Sequence, residues 1–457
     1  MAPREGDPLI RKQFSVNNST DDDNDNDDNS RDDDSHHNGL NQRQWVALGI
    51  GCVLGFMAVL YMLGAMDSTS HRKKSGTSTL RKATGPYHLV ERQVGQDFFQ
   101  YYDFYEGADS LGSAGYNTYV NQEQAFQLNL ANVTKDIISG EEFVYMQSMA
   151  GASKGKFRSS VRLEGKRRFH RGLFILDVAH MPAGCGVWPA FWMTDEDHWP
   201  NHGEIDIVEG INTQTVVKTA LHTSDQCSMY AHVPAWAHSG VWDTSTGLPD
   251  TFTGQPNFIN NIEADNCWVM APHQWANQGC VAVSTENDTI GEPMNAIGGG
   301  VYVLEWDPVH GYIKSWVFKN HQIPDNLQQA MTTSSRDTKS EQVAPDPSSW
   351  PIPYAYFAIG EGTGCSNDHF QNMHLVFNLA FCGTVAGNRF FKDCPALSAK
   401  FNVSNDSVQT CNAYIASEPE ALSEAYWKIR GVYVYERKFE KQSTSNTTQR
   451  STNGAQN

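Results

Sequence analysis

Hydrophobic and polar positions alternate in short runs along most of the chain beyond Gln96. FVYMQSMA (143–150), SSVRLEG (159–165), LFILDVAH (173–180), EIDIVEG (204–210), GVYVLEWD (300–307), YIKSWVF (312–318), HLVFNLAF (374–381) and GVYVYERK (431–438) carry the pattern. Successive side chains of a strand point to opposite faces, so a period of two predicts half-buried strands. Gly, Pro, Asn and Asp punctuate the intervals as turn residues do. Many short strands with frequent turns predict an all-β sandwich or barrel. Helical periodicity is scarce, and ALSEAYWKI (421–429) is the segment that reads as a short helix. The glycine-rich Gly360–Gly364 lacks the Lys-Ser/Thr of a phosphate loop and reads as a turn.

The same pattern divides the chain. Residues 1–44 are polar and rich in Asp and Asn, the composition of a disordered tail. Trp45–Met66 is an uncharged apolar run of 22 residues, long enough for a helix to cross the roughly 30 Å hydrocarbon core. It is expected to be a transmembrane signal-anchor, because a cleaved signal peptide has a shorter apolar core and a shorter leader. Residues 67–95 form a Ser/Thr/basic stem, 96–437 the folded domain, and 438–457 a polar tail without a terminal apolar run.

Charge narrows the partners. The formal net charge is -18, yet nine Asp lie between Asp21 and Asp34, so half of the excess sits in the tail. The rest of the chain is mildly acidic, which excludes nucleic acid as a partner because phosphate contacts need a basic surface. Cysteine usage bears on compartment. Cys52 lies in the apolar run, and the other eight (185, 227, 267, 280, 365, 382, 394 and 411) all fall in the folded domain with no C-x-x-C pair. Eight cysteines without zinc spacing predict disulfides in an oxidising compartment, and the count allows about 105 pairings.

Orientation draws opposed signals. Arg72, Lys73, Lys74, Arg81 and Lys82 follow the span and would hold the C-terminal side in the cytoplasm. The cysteines and the sequons at Asn132, Asn287, Asn402, Asn405 and Asn446 point the other way, although Asn17 and Asn18 open sequons on the opposite side. Long domains translocate largely regardless of flanking charge. A single-pass type II membrane protein with the large domain lumenal or extracellular is therefore expected.

Candidate chemistry concentrates in Gly203-Glu204-Ile205-Asp206-Ile207-Val208-Glu209-Gly210. In a strand Glu204 and Asp206 share one face, with Ile205 and Ile207 on the other. Glu209 stands at an odd offset, which a β-bulge at Ile207-Val208 corrects. The two Glu would be about four strand steps apart, roughly 13 Å along the backbone. Long side chains can lean together toward the roughly 5–5.5 Å that a retaining glycosidase needs between its carboxyls. One Glu would attack an anomeric carbon as the anion and the other would protonate the leaving oxygen, with an Asp between them separating their pKa values. Trp188, Trp192 and Trp199 precede the carboxylates and His222 follows them. Aromatic faces beside carboxylates suit a pyranose-binding cleft.

The run WPAFW…WPNHGEIDIVEGIN…LHTS, with GVYVLEWDPVHGYIKSWVF (300–318), IPDN (323–326), VFNLAFCGTVAGN (376–388) and AYWKIRGVYVYE (425–436), resembles glycoside hydrolase family 16 over roughly residues 96–437. The similarity is to the fungal laminarinase-like endo-1,3(4)-β-glucanases. The resemblance implies a β-jelly-roll sandwich of the concanavalin A-like kind and a double-displacement mechanism on β-1,3 and mixed β-1,3/1,4 glucans. It implies Glu204 as nucleophile, Glu209 as acid/base and Asp206 as assisting carboxylate, with Trp192, Trp199 and His222 lining sugar subsites. Trp188, just upstream of the carboxylates, is a further candidate for the sugar-binding face, with core packing as its alternative. No cofactor is required, and a structural calcium ion is compatible with the resemblance. Transglycosylation shares every catalytic residue with hydrolysis, and a non-catalytic lectin would have no use for two close Glu. Val385 departs from the family, which often has a Trp in that segment.

Overall fold

The computed structural model describes residues 83–109, 113–149, 157–244, 262–332 and 343–439. The acidic tail, the Trp45–Met66 run and the C-terminal tail beyond Phe439 lie outside the described residues. Among the described residues no helix is long and apolar enough to cross a membrane. The C-terminal part of the stem expected over 67–95 is folded. Ala83–Gln93 is a strand that pairs along Tyr426–Phe439, so its polar residues serve a sheet and not a linker.

Two eight-stranded antiparallel sheets form an all-β sandwich. One sheet runs in the order Val241–Trp242, Cys280–Val283, Lys218–His222, Glu204–Glu209, Val187–Thr194, His374–Phe381, Arg162–Gly165 and Tyr102–Phe104. The other runs Ala355–Ala358, Tyr312–Lys319, Gly300–Asp307, Gly172–His180, Tyr426–Phe439, Glu142–Gln147 and Ala131–Lys135, with Ala83–Gln93 also on Tyr426–Phe439. Their inner faces meet in one core that joins Phe191, Met193, Ile205, Leu221 and Phe377 of the first sheet to Phe174, Leu176, Leu304 and Trp427 of the second. Phe377 packs edge-on to Trp427 across the layers at 5.6 Å. Burial of these apolar faces is the main favourable term in holding the sheets together.

The helix expected over 421–429 is not formed. Pro419–Leu422 is a single 3-10 turn, and the residues from Tyr426 run into the 14-residue strand Tyr426–Phe439. Trp427 and Ile429 are buried and pair with Met146 and Val144, so the alternation YWKIRGVYV governs once a partner strand is present. Helices appear instead where the sequence pattern predicts none, the longest among the described residues being Ser407–Ser417. Asp406 caps it by accepting the Gln409 backbone N–H at 2.9 Å.

All eight domain cysteines are paired, as Cys185–Cys394, Cys227–Cys365, Cys267–Cys280 and Cys382–Cys411. Two of these bonds tie the 390–417 helices to the ends of the Val187–Thr194 and His374–Phe381 strands.

Candidate active site

The Glu204–Glu209 strand lies in the middle of its sheet, between Val187–Thr194 and Lys218–His222. On one side Trp192 pairs with Asp206 and Phe191 with Val208, leaving Ile207 without a partner. On the other side Ala220 pairs with Asp206 and Lys218 with Glu209, so two residues stand against one. This is the bulge that the odd offset demanded. Ile205, Ile207 and Val208 all enter the core, and Glu204, Asp206 and Glu209 share the outer face.

Gly203 sets the start of the strand. Its φ is +70°, and a Cβ there would lie 2.4 Å from the backbone oxygen of His369. The segment 367–370 closes over the strand's entrance only because that Cβ is missing. Gly203→Ala should destabilise the fold by about 1–3 kcal/mol and move Glu204. Denaturant unfolding beside a glucan-cleavage assay checks this. A variant of unchanged stability and activity refutes the role given to Gly203.

The three carboxylates have different surroundings. Asp206 is 4% exposed, and His222 Nε2 lies 3.0 Å from its Oδ2. One oxygen each of Glu204 and Asp206 and a ring nitrogen of His222 lie within 4.8 Å of one another. Glu209 accepts the Trp188 indole N–H at 2.8 Å. Trp199 adjoins Glu204, and its buried indole nitrogen lacks a partner of good hydrogen-bond geometry. Trp192 donates to Asn378 Oδ1 at 2.8 Å, and the Arg162 guanidinium sits 5.3 Å over its ring and 5.0 Å over Tyr105. Trp192, Trp199, His222 and Trp188 are therefore all brought to the carboxylate face.

Two of these residues reach the face from buried positions. Trp188 is only 7% exposed and packs with Ala380, Ala386, Ile211 and Val385. It is a clamp on Glu209 and not an open sugar platform. His222 is equally buried and reaches the face through Asp206.

Burial raises the pKa of all three carboxyls. The neighbouring Asp206 charge raises Glu204 further, while Trp188 lowers Glu209 and His222 lowers Asp206 by hydrogen bonding. Burial alone would depress His222, but its bond to Asp206 and the surrounding negative charge lift it to about 9. His222 is thus a cation at neutral pH, countering a concentration of negative charge.

The sign of the linkage follows. A folded-state pKa raised from 6.5 to about 9 gives stability that is complete below pH 6.5 and is lost as pH rises through 9. His222→Gln keeps a donor for Asp206 without that charge. It should flatten the fall in Tm between pH 6.5 and 9, measured on both proteins across that range. Parallel Tm curves would show that His222 does not titrate there.

Sequence reasoning passed over the residues that hold this site. Asn378 is the polar residue at an outer position of HLVFNLAF, and Arg162 lies opposite it in the sheet. A second cluster braces the loop that carries Trp199. Asp195, 1% exposed, takes hydrogen bonds from His198 at 3.0 Å, His202 at 2.6 Å and Asn372 at 3.2 Å. The spacing Asp195-x-x-His198-x-x-x-His202 was a signal available in the sequence. Among the described residues the two side-chain clusters that could hold a metal ion both contain histidine. Calcium prefers a cage of six to eight oxygens, so neither cluster fits the calcium ion that the resemblance allowed.

A sequence model described as the XgeA-like, catalytic GH16 domain matches residues 102–435, which takes in every residue of this site. The chain belongs to glycoside hydrolase family 16. A probable endo-1,3(4)-beta-glucanase of Aspergillus fumigatus is 32% identical over 382 residues, covering 83% of this chain and 50% of that protein. The chain thus spans about half the length of the Aspergillus relatives. A probable glycosidase of Schizosaccharomyces pombe is 33% identical over 353 residues, 77% of this chain and 69% of that protein. Among solved structures, Laminarinase 16A from Phanerochaete chrysosporium with β-glucans in donor and acceptor sites aligns with a TM-score of 0.60 at 27% identity, over 77% of this chain and all of that one. An elongating family 16 β-1,3-glucosyltransferase aligns equally well at 30% identity over the same shares.

Proposed function

We propose that the protein is a retaining, endo-acting β-glucanase for β-1,3 and mixed β-1,3/1,4 glucans. One observation carries the reading: the bulge at Ile207-Val208 turns Glu204, Asp206 and Glu209 to a single face lined by tryptophan. A lectin has no need for three acids crowded on one strand, with Asp206 buried and Glu204 and Glu209 half-buried, since their desolvation costs stability.

Glu204 attacks the anomeric carbon as Glu209 passes its proton to the departing glycosidic oxygen. The glycosyl–Glu204 ester forms and the shorter glucan leaves. Glu209, now a carboxylate, takes a proton from the water that attacks the same carbon and frees Glu204. Burial favours the protonated form of Glu209 that the first step uses, and it also lifts Glu204 to about 7, so the ionised form that attacks gains as pH rises through 7. Asp206, held by His222 at 3.0 Å, stands beside Glu204. If a sugar hydroxyl replaces the water, the product is a longer glucan. The 30% identity to an elongating glucosyltransferase makes that second reading specific.

A β-1,3 chain is bent and a β-1,4 chain straight, and the family resemblance favours the bent one. Val385 packs beside Trp188 and offers no ring where the family often has Trp, so binding on that side of the cut is weak. The uncharged Trp45–Met66 run supports a type II anchor, and the four disulfides support a lumenal or extracellular domain.

The full chain in detergent should release reducing sugar from laminarin and lichenan but not from carboxymethyl-cellulose. Activity on the cellulose derivative with none on laminarin overturns the substrate reading. On a laminari-oligosaccharide, products longer than the substrate would assign transglycosylation.

A further inference from the structure

Asn132 opens the sequon Asn132-Val133-Thr134. It lies in Ala131–Lys135, the outermost strand of its sheet, which pairs on one side only, with Glu142–Gln147. An open strand edge is a liability that proteins usually cover. Beside Asn132 lies a cavity of about 600 Å³, walled by Phe99 and Phe126, by the amides of Gln96, Gln100 and Gln122, and by Lys166. That volume falls within the roughly 300–1,000 Å³ of small-ligand pockets. None of its lining residues belongs to a strand that carries the carboxylates.

The chemistry of the wall suits a sugar. Phe126 is 45% exposed, its ring held by edge contacts to Phe99 at 5.5 Å and Phe104 at 5.7 Å. An open aromatic ring accepts the apolar face of a pyranose, and amides pair with its hydroxyls. Asn132 Nδ2 donates to Asn129 Oδ1 at 2.8 Å, while its own Oδ1 is buried with no donor. Asn287, Asn402 and Asn405 also open sequons, but they are exposed and line no part of this cavity.

We propose that Asn132 carries an N-linked glycan whose first N-acetylglucosamine seats in this cavity against Phe126 and covers the edge strand. The inference rests on the lumenal placement proposed above. The donor is a lipid-diphosphate-linked oligosaccharide. A bond forms between Nδ2 and the anomeric carbon, the anomeric C–O bond breaks, the lipid diphosphate leaves and one amide proton is released. The second amide proton remains for Asn129.

The test uses the full chain made in a eukaryotic secretory host, with peptide mass spectrometry after trimming each glycan to one sugar. Asn132 should be occupied. Thr134→Ala, which loses the glycan, should lower Tm by roughly 2 °C, whereas trimming to one sugar and Asn287→Gln should leave it unchanged. In a Phe126→Ala background Thr134→Ala should have no further effect. Thr134→Ala made in a bacterial periplasm, where neither protein is glycosylated, should match its parent. A bare Asn132 beside an occupied Asn287 or Asn405 overturns the proposal, as does an occupied Asn132 whose loss leaves Tm unmoved. If every domain sequon is bare, the lumenal placement falls and takes this proposal with it. Laminarin cleavage is read on the same preparation, so its absence would refute the glucanase reading without touching the glycan.

Discussion

Glu204→Gln should lower kcat on laminarin by roughly 10⁴-fold or more, and Glu209→Gln by about 10²–10⁴-fold, with both proteins fully folded. The nucleophile has no substitute, because the covalent intermediate needs its oxygen. The acid/base shares its work with the quality of the leaving group, so its loss is smaller and should shrink further on aryl glucosides with good leaving groups. Folding should survive because neither side chain enters the core, where Ile205, Ile207 and Val208 already fill the inner face. Stability should even rise at neutral pH. Burial raises both carboxyl pKa values, so their contribution is complete in acid and declines as pH climbs through the folded-state values. Glutamine stays neutral and escapes that decline. The roles separate by azide. Glu204→Ala should be rescued with an inverted glycosyl azide as product and Glu209→Ala with a retained one. Rescue in the opposite sense means that the two roles are exchanged, and full activity in either variant removes the residue from the mechanism.

Removing the Cys185–Cys394 pair by alanine substitution should cost about 2–5 kcal/mol. The bond spans 209 residues, so the chain it restrains when unfolded is long. It also fastens the helices after Arg389 to the strand that carries Trp188 and Trp192. Cys382–Cys411 fastens the same helices beside the Gly383–Gly387 turn, where Val385 meets Trp188. Losing both bonds should therefore weaken glucan binding as well as lower Tm, since Trp188 is the clamp on Glu209. Alkylation under denaturing, non-reducing conditions on protein from its natural host should leave the eight domain cysteines unreactive. Eight reactive thiols would place the domain in the cytosol and restore the topology that the basic stem favours.

Much of the site was legible because the information is local. A strand's period of two puts Glu204 and Asp206 together, and the odd offset of Glu209 requires an extra residue whatever the strand pairs with. The apolar alternation likewise determined an all-β sandwich or barrel, since each such run must bury one face, and strand pairing decided for the sandwich. Pairing is what the linear order leaves open. The eight cysteines allowed about 105 arrangements, and only the folded chain brings Cys227 beside Cys365. AYWKI became a strand because Tyr426 and Trp427 found Gln147 and Met146, far away in sequence. Trp188 reads as either a sugar platform or a core residue in one dimension, and the turn at Gly383–Gly387 covers it while its indole donates to Glu209. Side chains announce their chemistry in the sequence. Their exposure and partners depend on segments hundreds of residues apart, and those the tertiary structure alone decided.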